Sequence, residues 1–447
     1  MKIELIAPAV QEILERPKRP LSFISPFNLA VLAALTPNDV EVSITDEEIE
    51  EINFSEKPDM VGITVYTSRA IRAYQIADTF RAKGITVVLG GFHPTFLPEE
   101  ASLHADSVVI GEAEDIWPQL IEDFKNGRLK RIYQSKERSN LIGLPIPRTD
   151  LLKKEKYFFP NQISIARGCP FSCKFCSVTR YFGGTYRFRP MEEVIAEVEL
   201  FKNKNEKWGG FLEISKCIHF IDDNIVARPS YSKELFKALI PYKIKWVGAA
   251  SLTIAEDEEL IQLAARSGCI GLFMGFESIN QVTLNLVKKK ANFVEKYEKA
   301  IKKIHSYEIG IQGSFIFGFD GDDESVFEKT VHFAQNAKLE LAEFNILTPY
   351  PGTKIYEELD SEGRILIKDW SKYDNSHAVF KPKLMTSDVL EKGTYWAWEE
   401  FYKTSSIFHR IGLTHRHLLS AWVINLFTRT YYRKYFALRR GKKFQWS

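Results

Sequence analysis

The 447 residues carry 60 Lys and Arg against 58 Asp and Glu, for a formal net charge of +2, and 45% of them are hydrophobic. That composition excludes a disordered chain, supplies ordinary globular cores, and at ~150 residues per domain suggests about three domains. No uncharged apolar run approaches the ~18 residues of a membrane-spanning helix and no leader pattern opens the N-terminus, so the expected location is the cytoplasm.

In chain order, residues 2–7, 40–44, 60–65, 85–90 and 107–111 are short apolar runs rich in β-branched residues, as buried parallel strands are. Helical stretches lie between them. Residues 28–35 form one, and residues 68–83 form another, with Ile71, Tyr74, Ile76, Ala77 and Phe80 at near-helical spacing. Alternating strands and helices predict a doubly wound, Rossmann-like α/β domain over residues 1–126. Ligands of such sheets bind beyond the carboxyl ends of the strands, which makes Tyr66, Ser68, Gly90, Gly91, His93, Gly111 and Glu112 the candidate binding residues. Adjacent Gly90 and Gly91 would let backbone approach a large ligand closely, although a Gly-Gly pair after a strand is more often only a tight turn. The bland reading of His93 is a loop residue.

Residues 127–159 turn charged and irregular around Pro145 and Pro147, as a linker does. Strand-like runs then recur at 163–166, 218–221, 246–249, 270–274, 311–317 and 344–347, separated by helix-length segments. Six such units over 160–355 predict a partial (β/α)6 barrel with its site at the strands' carboxyl ends. Asp222, Ser251, Glu277 and Ser278 follow those strands; helix-capping carboxylates and hydroxyls would look the same.

The first of these strands runs into a loop holding Cys169, Cys173 and Cys176, three of the five cysteines. Thiolates three and then two residues apart can wrap one compact soft-metal centre, and three ligands leave a coordination position open for chemistry. A structural zinc site would need a fourth protein ligand, and none is near in sequence. Cys217 and Cys269 sit in apolar runs as core residues, which suits a reducing compartment.

The spacing Cys169-x-x-x-Cys173-x-x-Cys176, with Phe175 before the last cysteine, resembles the cluster loop of the radical S-adenosylmethionine (SAM) enzymes. The resemblance implies a 4Fe-4S cluster on the three thiolates and SAM on its open iron. An external electron donor would then drive cleavage to a 5′-deoxyadenosyl radical. It also implies that Phe175 lies beside adenine and that Asp222, Ser251, Glu277 and Ser278 contact the cofactor. A doubly wound domain before such a loop resembles the cobalamin-dependent subgroup, so the strand-end residues of the first domain are expected to bind cobalamin. The Asp-x-His-x-x-Gly run that supplies a lower cobalt ligand in many cobalamin domains is absent, and His93 and His104 have other neighbours.

The resemblance implies methylation of an unactivated carbon in a lipid-like or other small molecule. Radical cyclisation or carbon–carbon coupling, and a non-catalytic redox or cobalamin sensor, stay open as alternatives. Transfer-RNA methylthiolation is set aside because no cysteine precedes Cys169.

Beyond residue 355 the pattern changes to a C-terminal extension with a helical tail, in which ten Lys or Arg and no Asp or Glu follow Phe401. Trp422, Phe427, Tyr431, Tyr432, Tyr435 and Phe436, beside Arg429, Arg433, Lys434, Arg439 and Arg440, suit a peripheral contact with the inner face of a membrane. Nucleic acid is the less favoured partner, and a solvated basic face on a packed helix is the plain alternative.

Overall fold

The structure, a computed structural model, describes residues 1–14, 21–205, 217–412 and 418–439. Strands β1 (Lys2–Ala7), β2 (Glu41–Asp46), β3 (Met60–Thr64), β4 (Thr86–Gly90), β5 (Ser107–Ile110) and β6 (Ile132–Gln134) form one sheet in the order β2-β1-β3-β4-β5-β6, parallel throughout. All five residues of β3 are buried, because both faces are covered. The helix Ala70–Arg81 packs Ala73, Ile76 and Phe80 on the face that carries Val61, Ile63, Val87 and Leu89. Phe27–Leu35 and Trp117–Lys125 cover the opposite face, with Ile3, Leu5, Val88 and Val109. Strand order reverses between β1 and β3, which opens a crevice beyond their carboxyl ends.

The second sheet takes β7 (Asn161–Ile163), β8 (Ile218–Phe220), β9 (Trp246–Ala249), β10 (Cys269–Glu277), β11 (Gly310–Phe317) and β12 (Leu341–Ile346) in sequential order, all parallel. It is the expected partial barrel, with β7 and β12 as its edges. The β12 edge is blunted by side chains instead of a seventh strand. Tyr402 Oη donates to the Ala342 carbonyl at 2.9 Å and accepts from the Ala342 amide at 3.2 Å, and Trp398 Nε1 donates to the Phe344 carbonyl at 2.7 Å.

Three sequence expectations need correction. The linker does not begin at 127, because Ile132–Gln134 adds an edge strand to the first sheet; at its far end Tyr157–Phe159 pairs with Ser22–Ile24. The strand expected at 163–166 ends at Ile163 in the sheet. Ala166–Gly168 then forms a separate antiparallel ladder with Tyr186–Phe188, because the Asp222 carboxylate takes the amides of Ile165 and Ala166 away from the sheet.

The third concerns the C-terminal extension, which is no appendage. Trp370, Tyr373 and Val379 join the core of the first domain, whereas Leu390, Trp398, Phe401 and Phe436 join that of the barrel. The tail aromatics read as membrane-facing are turned inward along the helix Leu418–Arg439. Tyr432 stacks on Trp398 at 3.6 Å, Phe436 packs on Tyr395 at 4.4 Å, Phe427 meets Phe158 at 4.9 Å and Tyr435 hydrogen-bonds Ser376. Packing buries Phe436 and covers part of Trp422, Phe427, Tyr431, Tyr432 and Tyr435, so these contacts give the expected membrane association no support. No helix among the described residues is long and apolar enough to cross a membrane, and Arg440 lies outside those residues.

Candidate functional site

The strand ends of the first sheet form the floor of a cavity of about 1150 Å³ that reaches into the barrel. Gly91 is required by the close approach of two strand-end loops. Its φ is +104°, and a Cβ there would stand 3.0 Å from the Val65 amide nitrogen and 3.1 Å from the Val65 oxygen. Gly90 and Gly111 line the cavity, and a Cβ on Gly111 would meet nothing within 4 Å. Tyr66 shows nearly half its surface there and stacks on Phe92, which stacks in turn on Tyr181 at 4.2 Å.

His93 and Ser68 do not line this cavity. His93 is fully buried in the helix Phe92–Phe96, with Nε2 3.1 Å from Glu100 and Nδ1 3.4 Å from Thr67, so it is neither a loop residue nor a group facing the crevice. Ser68 is half-buried in the turn Thr67–Arg69.

Glu112, at the cavity wall, joins the two domains. Its carboxylate accepts from Arg167 at 3.0 Å and from Arg187 at 2.9 Å, and Glu114 pairs with the same Arg167. Both arginines lie in the ladder that opens the cysteine loop. Tyr181 Oη donates to the Gly111 carbonyl at 2.7 Å and adds a second tie between strand-end floor and cysteine loop.

Asp222 fixes that loop from the barrel side, accepting the Ile165 amide at 2.9 Å and the Ala166 amide at 2.5 Å. Burial pushes its carboxyl up to about 8. Neighbouring Asp223 faces the cavity, accepts the Gly168 amide, and is pushed up to about 6 by desolvation. Cys169, Cys173 and Cys176 follow, partly buried and unbridged. Burial pushes all three thiols up, Cys176 to about 12, while Lys289 pulls Cys169 and Cys173 back toward ionisation. Metal binding would supply the missing stabilisation of the thiolates.

Among the described residues no three His, Cys, Asp or Glu side chains converge as ligands of a single ion. A 4Fe-4S cluster is gripped at separate irons, so three free thiols on one pinned loop beside a lysine fit it. The glycine-lined floor, with open space above Gly111, likewise fits a flat macrocycle.

At the carboxyl end of β10, Glu277 has φ +63°, a costly conformation for a non-glycine residue. Its carboxylate folds back to accept from Lys289 at 2.7 Å, and a Cβ at Gly275 would lie 2.2 Å from its Oε1, so only glycine leaves the room. Ser278 accepts the Asn280 amide at 3.1 Å, in a local turn. Ser251 is held by Asn224, whose Oδ1 accepts its amide at 3.0 Å. Phe175 packs 5.9 Å from Phe319.

The cysteine loop and the Lys289–Glu277 pair thus lie together at the barrel's mouth, with Asp222 and Asp223 on the cavity wall; the three cysteines, Phe175, Ser251, Glu277, Ser278 and Lys289 are not among the residues that line the cavity. Sequence reasoning missed Lys289, Arg187, Tyr181 and the inward pair Gln312 and Glu343. Only Glu343 left a signal, as a charge at an alternate position of an apolar strand.

Residues 163–334 match the Radical SAM superfamily and residues 21–121 match the B12 binding domain family. The chain is 33% identical over 418 residues to the bacteriochlorophyllide d C-12(1)-methyltransferase of Chlorobaculum tepidum, covering 92% of this chain and 89% of that one. Its similarity to the C-8(2)-methyltransferase of the same organism is 33% over 417 residues, covering 92% and 91%. Its fold is similar to that of the radical SAM methyltransferase TsrM from Kitasatospora setae, solved with cobalamin and a 4Fe-4S cluster bound. That likeness has a TM-score of 0.68 at 16% identity, over 98% of this chain and 99% of the other.

Proposed function

The chain belongs to the cobalamin-dependent radical SAM methyltransferases, and on that footing we propose that it transfers a methyl group to an unactivated carbon of a mainly apolar small molecule held between its two sheets. The carrying observation is the shared cavity, whose wall runs from the glycine floor, past Asp223, to the aromatic inner wall of the barrel. Its relatives named for bacteriochlorophyllide d support a substrate of that apolar kind.

When bound, the cluster and SAM supply radical chemistry and cobalamin supplies the methyl group. In this reading Cys169, Cys173 and Cys176 hold the cluster, and Lys289 offsets the charge of the thiolates. Asp222 fixes the loop's entry, and Gly90, Gly91, Gly111 and Tyr66 bed the corrin. Glu112 and Arg167 keep the two beds in register. Glu277, Ser278, Ser251 and Phe175 surround SAM, and an external donor supplies the electron. The aromatic walls exclude water from a reactive radical.

The test is anaerobic incubation of the reconstituted, reduced protein with methyl-labelled SAM and a solvent extract of apolar small molecules. Release of 5′-deoxyadenosine with label in an apolar product is expected, and neither should occur with Cys176→Ala. No 5′-deoxyadenosine from the wild type contradicts the reading.

A further inference from the structure

The barrel half of the cavity is asymmetric in charge. Among the described residues only two Lys or Arg side chains line the cavity, and both are committed, Arg69 to Glu48 and Arg167 to Glu112 and Glu114. The lining imidazole of His219 is held neutral, because burial pushes it down to about 4.

Against this stands Glu343, on the inner face of β12: burial pushes its carboxyl up, while Gln312, whose Nε2 donates to its Oε1 at 2.7 Å, and the Asn345 side chain hold it toward the ionised form. Among the described residues no Lys or Arg lies within ion-pair distance of it. Across the barrel Gln162 lines the same cavity from β7. It is 1% exposed; its Nε2 donates to Ser25 at 2.8 Å, yet its Oε1 has no donor. Buried acceptors without donors are costly, and a ligand that brings donors relieves the cost. The surrounding surface is apolar: Phe273, on the inner wall of β10, is 37% exposed.

We infer that Glu343 selects the substrate, favouring an apolar body that carries a hydrogen-bond donor such as an ammonium or N–H group and rejecting an anionic group at that position. This rests on the reading that the cavity receives the substrate. A carboxylate or phosphate placed there would face Glu343 with no uncommitted cation among the described lining residues, whereas a donor would add to the hydrogen bonds that Gln312 and Asn345 already make to it.

The experiment uses the reconstituted holoenzyme and two probes of one shape, naphthylmethylammonium and naphthoate, titrated calorimetrically at neutral pH. The ammonium is expected to bind at least about tenfold more tightly, and the isosteric Glu343→Gln to erase the preference. Should that variant fail to fold, the wild-type ratio still decides. Equal or tighter binding of naphthoate, a preference that survives in E343Q, or no binding of either probe overturns the inference. Cleavage of SAM to 5′-deoxyadenosine is measured on the same wild-type preparation. Its absence tells against the proposed function, independently of the charge preference.

Discussion

The cysteine-loop region and the barrel end of the cavity are built by different physics. At the cysteine end, position is set by charged and backbone hydrogen bonds. Glu112 joins Arg167 and Arg187, Asp222 takes two loop amides, and Lys289 meets Glu277. At the barrel end, shape is set by aromatic packing among Phe158, Phe427, Trp398 and Tyr432. Directional bonds fix atoms to tenths of an ångström and leave costly orphans when broken, whereas packing tolerates a change of shape at similar volume. The contrast suits a protein that must hold invariant cofactors at one end and one particular substrate at the other.

The sharpest way to break the contrast is at the interdomain charges. Glu112→Ala leaves Arg167 and Arg187 short of a buried partner, and we expect about 3–5 kcal/mol of destabilisation in denaturant unfolding of the anaerobic apo-protein. A loss below about 1 kcal/mol would mean that solvent already screens the pair.

A smaller effect separates the ends by pH. Burial raises Asp222 to about 8 and, after β11, Asp322, whose carboxylate accepts the Gly318 and Phe319 amides, to about 7, against about 4 for an unfolded carboxyl. Between these values the folded chain keeps protons that the unfolded chain has released. Their contribution to stability is therefore complete below about pH 4 and is lost as pH rises through about 7 to 8. Thermal unfolding of the apo-protein should show that fall, and Asp222→Asn should flatten its alkaline part. An unchanged slope would remove Asp222 as its source.

The smallest effect is expected at the aromatic end. Phe427→Leu should cost about 1 kcal/mol of stability, leave SAM cleavage unaltered and shift the apparent KM for substrate. Altered SAM cleavage would show that the two ends are mechanically coupled.

Much of this architecture was legible in the residues. The apolar runs located ten of the twelve sheet strands and met an eleventh, Asn161–Ile163, only at its last residue, because a buried parallel strand must be apolar on both faces. The edge strand Ile132–Gln134 escaped, since only Tyr133 of its three residues is buried and the run shows no apolar pattern. Cysteine spacing marked the loop because ligands for one centre must be close in sequence or fold. The interdomain pairs of Glu112 and Glu114 lie more than fifty residues from Arg167, a separation that no local pattern encodes. The tail was ambiguous for a related reason. Aromatic and basic residues on a helix suit a membrane surface or a protein wall equally well, and the packing against Trp398, Phe158 and Tyr395 is visible only in three dimensions.

The central claim is that two separately held cofactors serve one site, a cluster on the cysteine loop and cobalamin on the glycine floor of the adjoining cavity. It is tested most directly by counting iron and cobalt in wild-type and Cys176→Ala protein reconstituted anaerobically side by side. The account predicts iron and cobalt in the wild type, and in the variant cobalt retained with cluster iron lost. A wild type that retains no cobalt, or a variant that keeps its full iron, would contradict it.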